Sequence, residues 1–421
     1  MAQVAQLLAR LKREPIAHLP IADHLNQLLR QSGCVWRDRL LTPMLTLRLF
    51  LTQILNGNCA IAALRQLSGI DFAPSSYCEA RNRMPMQLLQ SLLQWMQSHA
   101  EQSFGLVKTV GARVLIADGS TYSMEDTPPL REHFDLPKGT RPGVGYPMGK
   151  LMGLLDAATG LFVSLLALPL FQHDMRGVIG LHPMLRDGDI LLGDRAFCSF
   201  AHLALLKARG VFACVRLHQR RKAPARGVNR WHKPQAVPAW MDATTFALLP
   251  AFLEVRLVRH TIAQAGYRTR HVLIATTLMD QTLWPDEKIA DLYGQRWRIE
   301  TCFDHLKTTM NMNALRCKTV EGVRKELAIY LAVYNLVRLA MLQSAQRQRV
   351  SSWRISFADA MRWLLARMLH LPGVARLIVN PDRSGRRQLR VIRRRWKEYD
   401  LLRKPRHEME AEQAENTGQK C

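Results

Sequence analysis

The chain has 421 residues, 48% of them hydrophobic, and carries 59 Lys and Arg against 34 Asp and Glu, a net charge of +25. This excludes a disordered chain and leaves room for two or three domains around a large buried core. The positive surplus calls for a polyanionic partner, and nucleic acid fits best, because neutralising phosphates releases counterions.

Residues 1 to about 105 read as helical, rich in Leu, Gln and Arg without strand-like alternation. Met1 to Lys12 lacks the long apolar core of a signal peptide. Leu41 to Leu55 is predicted as an apolar helix opened by Thr42-Pro43 and ended by Asn56-Gly57-Asn58. Ala60 to Leu67 is a second helix. Pro74-Ser75-Ser76 opens a third, Tyr77 to Met84, which carries Arg81 and Arg83. Two short helices and a basic third suit either helix-turn-helix DNA binding or a plain helical bundle.

From about residue 106 the pattern changes. Arg113 to Asp118 is a short apolar run that should form a buried strand with Asp118 at its C-terminal end. Pro128 to Gly145 reads as a loop. Leu151 to Phe171 is the most apolar stretch. Asp156 to Gly160 interrupts it as a hairpin turn, so it is two strands and not a membrane span. Asp174 to Leu185 is a helix, and Asp189 to Asp194 is a second strand ending in a carboxylate. Phe200 to Arg209 (helix) and Val211 to Leu217 (strand) follow. Three strands, a helix, a strand, a helix, a strand and a later helix give the ribonuclease-H-like order of an α/β fold. Adjacent parallel strands would set Asp118 beside Asp194, and two such carboxylates repel unless a cation lies between them or one is protonated. Taken singly, each Asp also suits a turn or a helix N-cap.

A β-rich interval, about 217–268, interrupts the pattern. It opens on a basic stretch with Arg216, Arg220, Arg221, Lys222, Arg226, Arg230 and Lys233, and no acid. That stretch either contacts phosphates or only solubilises; the net charge favours phosphate contact. A long helix from Glu321 to about Gln346 and another from Ser356 to Leu369 close the globular part. Residues 346–421 then form a helical region with a basic tail, Arg383 to Arg406, and a disordered acidic-polar end from about Glu408. Eight scattered cysteines without a C-x-x-C pair speak for a reduced cytosolic protein and against structural zinc.

The decisive stretch is Tyr293 to Lys307, predicted as one helix. At ~100° per residue from Tyr293, Arg296 falls near 300°, Glu300 near 340° and Lys307 near 320°. These four share a stripe, flanked by Trp297, Phe303 and Asp304, while Leu292, Ile299, Cys302 and Leu306 form an apolar face. Helix-stabilising ion pairs on a solvated face would explain the charges alone. The spacing Y-(2)-R-(3)-E-(6)-K, downstream of two strand-end aspartates, resembles the signature of the insertion-sequence-four family of bacterial DDE transposases. Ser75 to Pro85 resembles that family's N-terminal domain.

Three carboxylates from three elements suit hard divalent cations, Mg²⁺ with Mn²⁺ as substitute, and two such ions ~3.5–4 Å apart can drive an in-line phosphoryl displacement. The resemblance implies that Asp118, Asp194 and Glu300 ligate the ions, that transposon ends are nicked, and that the freed 3′-hydroxyl attacks target DNA. It implies phosphate-holding roles for Tyr293, Arg296 and Lys307, DNA contact by residues 1–105, and a homodimer on paired double-stranded ends in the cytoplasm. Trp297 would either stack a displaced base or pack. A silent transposase-derived DNA-binding protein and another ribonuclease-H-like nuclease are the alternatives.

Overall fold

The computed structural model describes residues 22–31, 36, 40–104, 111–137, 144–218, 226–261, 271–367, 377–381, 402 and 404–418. The helices in chain order are α1 (Ala22–Gln31), α2 (Pro43–Leu55), α3 (Ile61–Ser68), α4 (Pro74–Arg83), α5 (Met86–Ser103), α6 (Pro128–Phe134), α7 (Asp174–Gly180), α8 (Phe200–Ala208), α9 (Ala243–Ala247), α10 (Asp286–Gly294), α11 (Trp297–Asp304), α12 (Val320–Gln348), α13 (Phe357–Arg367) and α14 (Arg406–Gly418). The strands are β1 (Val114–Met124), β2 (Met148–Asp156), β3 (Phe162–Pro169), β4 (Ile190–Gly193), β5 (Phe212–Arg216), β6 (Gly227–His232), β7 (Phe252–Thr261), β8 (His271–Thr276) and the short β9 (Ala314–Leu315).

They form one mixed sheet in the order β3-β2-β1-β4-β5-β8-β7-β6, with β9 beside β1. The antiparallel β1-β2-β3 meander followed by parallel β4 and β5 is the ribonuclease-H-like arrangement. Strands β6 to β8 extend the same sheet antiparallel beyond β5. One face is covered by α7 and α8, whose Val178, Leu203 and Leu206 pack on Leu115 and Ala213. The other carries α12 and also α2 and α5, so Phe50, Leu88 and Met96 share a core with Ile116, Tyr334 and Val337. Polar contacts join the same parts: Asn58 donates to Glu326 on α12 at 2.7 Å. The 29-residue α12 is long and apolar enough to cross a membrane, but 94% of its apolar window is buried, so it is the central core helix.

Three expectations change. Pro128 to Gly145 is not all loop, because Pro128-Pro129 start the short helix α6, which buries Leu130 and Phe134. The acidic end is helical: Arg406, at the start of α14, pairs with Asp126 at 2.8 Å and anchors it. Asp118 is not at a strand end, since β1 continues to Met124 with β2 paired along it, Asp118 opposite Gly153. The Asp-Gly step stays extended there, and the Gly119 N–H donates to the Asp118 carboxylate at 2.8 Å.

Candidate active site

The site forms where β4 stops and β1 goes on. Their parallel pairing ends at Ile116↔Leu192, and β9 meets β1 only at Ser123↔Ala314. Between these points the edge of β1 lies open, and Asp118 sits at its start. Asp194 follows β4 at once. Its carbonyl accepts the Phe197 N–H at 3.0 Å, closing the turn Arg195–Phe197. The Phe197 carbonyl in turn takes the Nδ1–H of buried His202 at 2.7 Å, and His182 Nε2 lies 3.2 Å from His202 Nε2. Burial keeps both imidazoles neutral, pushing His182 down to about 3 and His202 to about 4. The turn that aims Asp194 is thus braced from below.

The predicted single helix is two. It runs from Asp286 to Gly294, kinks at Gln295-Arg296 and resumes as α11. At the kink the backbone bonds tighten to i→i+3, Gln295 N–H to Leu292 at 3.1 Å and Arg296 N–H to Tyr293 at 3.0 Å. Residues His305–Thr309 then form a π-helical turn carrying Lys307. Leu292, Ile299, Cys302 and Leu306 are buried as expected, and Phe303 joins them. Phe303 lies on Gly153, the residue opposite Asp118, where an added Cβ would come within 2.9 Å of the Phe303 and Phe162 rings. That glycine lets the Glu300 helix settle close to β1.

Arg296 is the centre of the pocket. It is only 7% exposed, and its guanidinium donates to Asp118 at 3.1 Å and to Glu300 at 2.8 Å. Its carbon lies 4.8 Å from the centre of the Trp297 ring, which is 40% exposed. Lys307 Nζ reaches Ser120 Oγ at 3.4 Å. Tyr293 is buried, and burial holds its hydroxyl in the protonated form despite nearby Arg296, with Asp194 also in its field. Burial raises the Asp118 carboxyl to about 6, against the pull of Arg296 and the Gly119 N–H, and the negative fields of Glu300 and Asp194 raise it further.

The structure therefore brings Asp118, Asp194, Glu300, Tyr293, Arg296, Trp297 and Lys307 to one place. The others lie elsewhere. Arg83 is exposed on α4, 5.5 Å from the Trp36 ring. Arg81 turns inward: it sits 4.1 Å over the Phe50 ring and bonds Gln53 Oε1 at 3.3 Å and Cys317 Sγ at 2.7 Å. Its guanidinium is used in packing α4 on α2. Arg220, Arg221 and Lys222 lie outside the described residues. Ser120, Gly153 and His202 escaped the sequence reading. Only Gly153, a glycine inside a strand pattern, left a trace there.

A family model described as a transposase DDE domain matches residues 110–336, more than half of the chain. A relative from Escherichia coli (strain K12), the transposase InsG for insertion sequence element IS4, is 24% identical over 357 residues, 77% of this chain and 78% of the relative. The chain belongs to the insertion-sequence-four family of DDE transposases. A solved structure of the piggyBac transposase synaptic complex with hairpin DNA gives a TM-score of 0.43 at 10% identity over 86% of this chain and 79% of that one.

This transposase is a DNA-cleaving and strand-transferring enzyme that acts in DNA transposition. Such enzymes use divalent metal ions, and the residues present fit one by chemistry. The donors are hard carboxylate oxygens, and the negative fields of Glu300 and Asp194 reach Asp118. Among the described residues no three such side chains stand as a finished ligand cluster. The Arg296 guanidinium lies between two of the acids.

Proposed function

We propose that Asp118, Asp194 and Glu300 hold a pair of Mg²⁺ ions, or Mn²⁺ in their place, and that this pocket cuts the element's ends and joins the freed 3′-hydroxyl to target DNA. When bound, such ions lower the pKa of an attacking hydroxyl and shield the leaving oxygen of an in-line displacement. The chain's own groups supply the rest. Arg296 and Lys307 bring positive charge to the scissile phosphate. Tyr293, kept protonated by burial, serves as a hydrogen-bond donor and not as a base. Trp297, the exposed ring at the rim, is available to a displaced base.

Residues 1–105 would contact the transposon end, with Arg83 on the exposed side of α4, and Arg220, Arg221 and Lys222 would track phosphates. Residues 106–345 would be the catalytic domain with its β-rich insertion, and 346–421 the C-terminal region. Two copies would work on paired ends in the cytoplasm.

One observation supports the reading above the others: the buried Arg296 bridges Asp118 of β1 and Glu300 of α11 at 3.1 and 2.8 Å, with Asp194 from the end of β4 close enough to add its field at Asp118, so acids from three elements face one place. A strand-transfer assay with Mg²⁺ and the element's own terminal sequence tests it. Joined product is expected. Inert protein would mean a DNA-binding remnant, and cutting without joining would mean a different nuclease. Glu300→Gln should abolish cleavage and leave end binding intact; retained cleavage would refute the assigned site.

A further inference from the structure

We propose that Arg296 is the resident cation of the acidic pocket, a gate that keeps divalent metal from Asp118 and Glu300 until a DNA phosphate draws its guanidinium away. The proposal rests on the metal-binding reading above. It adds that metal and DNA must bind cooperatively, and that one side chain couples them.

Three observations converge on Arg296. First, its two nitrogens bond two different carboxylates, Asp118 at 3.1 Å and Glu300 at 2.8 Å. A guanidinium fork placed this way neutralises the repulsion that a metal would otherwise relieve, and it occupies lone pairs a metal would need. Second, the side chain is 7% exposed and its Asp118 partner 21%, so that pair is screened little by solvent, while the Glu300 end of the bridge is open to it. Third, its Nε is buried without a hydrogen-bond partner. Arg338 has Nε and Nη2 both on the Thr159 carbonyl at 3.2 and 2.7 Å, whereas Arg81, packed between α4 and α2, leaves its Nε unmet as Arg296 does. The unmet Nε gives Arg296 something to gain by leaving, because a phosphate offers oxygens to the whole fork.

A route out exists. The guanidinium already faces the Trp297 ring, which reaches the surface, so the charge can slide along the ring's face without losing all its partners. Glu300 is 43% exposed at its side chain and lies on the same side. The kink at Gln295-Arg296 places the moving residue at the joint between two helices, where its backbone is least constrained by the i→i+4 ladder. Departure of the fork frees oxygens on Asp118 and Glu300 together, and Asp194 completes the set.

The exchange is a coupling between two ligands, so it is reciprocal: phosphate strengthens metal binding by the factor by which metal strengthens phosphate binding. Without DNA the wild-type pocket is closed, which spares the enzyme a loaded metal centre with no end to cut.

Mn²⁺ titrations of DNA-free protein, read by electron paramagnetic resonance, test the gate. Arg296→Gln should bind Mn²⁺ at least tenfold more tightly than wild type. A short DNA duplex should tighten Mn²⁺ binding to wild type and change Arg296→Gln little. Equal or weaker Mn²⁺ binding by DNA-free Arg296→Gln, with Glu300→Gln losing the ion that wild type holds in the presence of the duplex, overturns the gate and leaves the metal site standing. If, with the duplex present, Asp118→Asn and Glu300→Gln bind Mn²⁺ as wild type does, the metal reading fails and the gate with it. Should Arg296→Gln not fold, judged by its melting curve, Arg296→Lys replaces it. A single-point ammonium holds two carboxylates less well than a fork, so Mn²⁺ should bind several-fold more tightly than to wild type, and equality would refute the proposal.

Discussion

Two carboxylates, one buried and one half-buried, meet different fates in this protein. Glu326, on α12, is 1% exposed and fully used: it accepts Asn58 Nδ2 at 2.7 Å, the Arg316 N–H at 3.1 Å and the Cys317 N–H at 2.9 Å. Its partners are fixed dipoles of the fold. Asp118 accepts one backbone N–H and one arginine, and two further acids press on it. A structural acid is saturated by groups that cannot leave. A functional one is held by a group that can, at some cost in stability.

That contrast can be broken from either side. The largest effect is expected for Asp118→Asn, which should lower cleavage by at least ~10²-fold, the scale for losing a preorganised electrostatic group, while the melting temperature holds. Glu326→Ala should do the reverse: about 3 kcal/mol of stability lost through stranded buried donors, read from the denaturant midpoint, with cutting per folded molecule retained. The neutral pair His182 and His202 sharpens the comparison through pH. Their folded values, about 3 and about 4, lie below the ordinary 6.5, so the unfolded chain binds protons first. Stability should therefore fall as pH drops from about 6.5 towards 4, by at most about 1.4 kcal/mol per pH unit for each histidine. Urea midpoints across that range check it, and replacing both with apolar residues should flatten the slope. The smallest effect belongs to Lys307→Ala, which should weaken DNA binding several-fold whatever the sequence and reduce the salt slope by about 1.

The sequence carried the architecture and the constellation for local reasons. Apolar runs such as Val114 to Ala117 and Ile190 to Gly193 are too short and too buried to be anything but strands of a covered sheet. The stripe of Tyr293, Arg296, Glu300 and Lys307 followed from angular spacing, and it holds although the helix kinks, because the kink keeps helical dihedrals at Gln295 and Arg296. What stayed hidden depends on contacts distant in the chain. Asp118 looked like a strand end because Asp-Gly is a turn signal, and only the pairing of β2 with β1 overrides it. Arg81 reads as a DNA contact from its place on the basic third of three short helices. Its inward turn is set by Gln53 and Cys317, residues no periodicity links to it. The bridge of Arg296 to Asp118 spans 178 positions and leaves no mark in either segment.

The shared core of α2, α5 and α12 has a consequence for how the molecule comes apart. Phe50 and Met96 bury against the same apolar surface as Tyr334 and Val337, so removing the first hundred residues would bare a strip of the longest helix. Melting should therefore be a single transition. A copy of the gene that lost its opening quarter would yield an insoluble fragment in place of an independently folded nuclease.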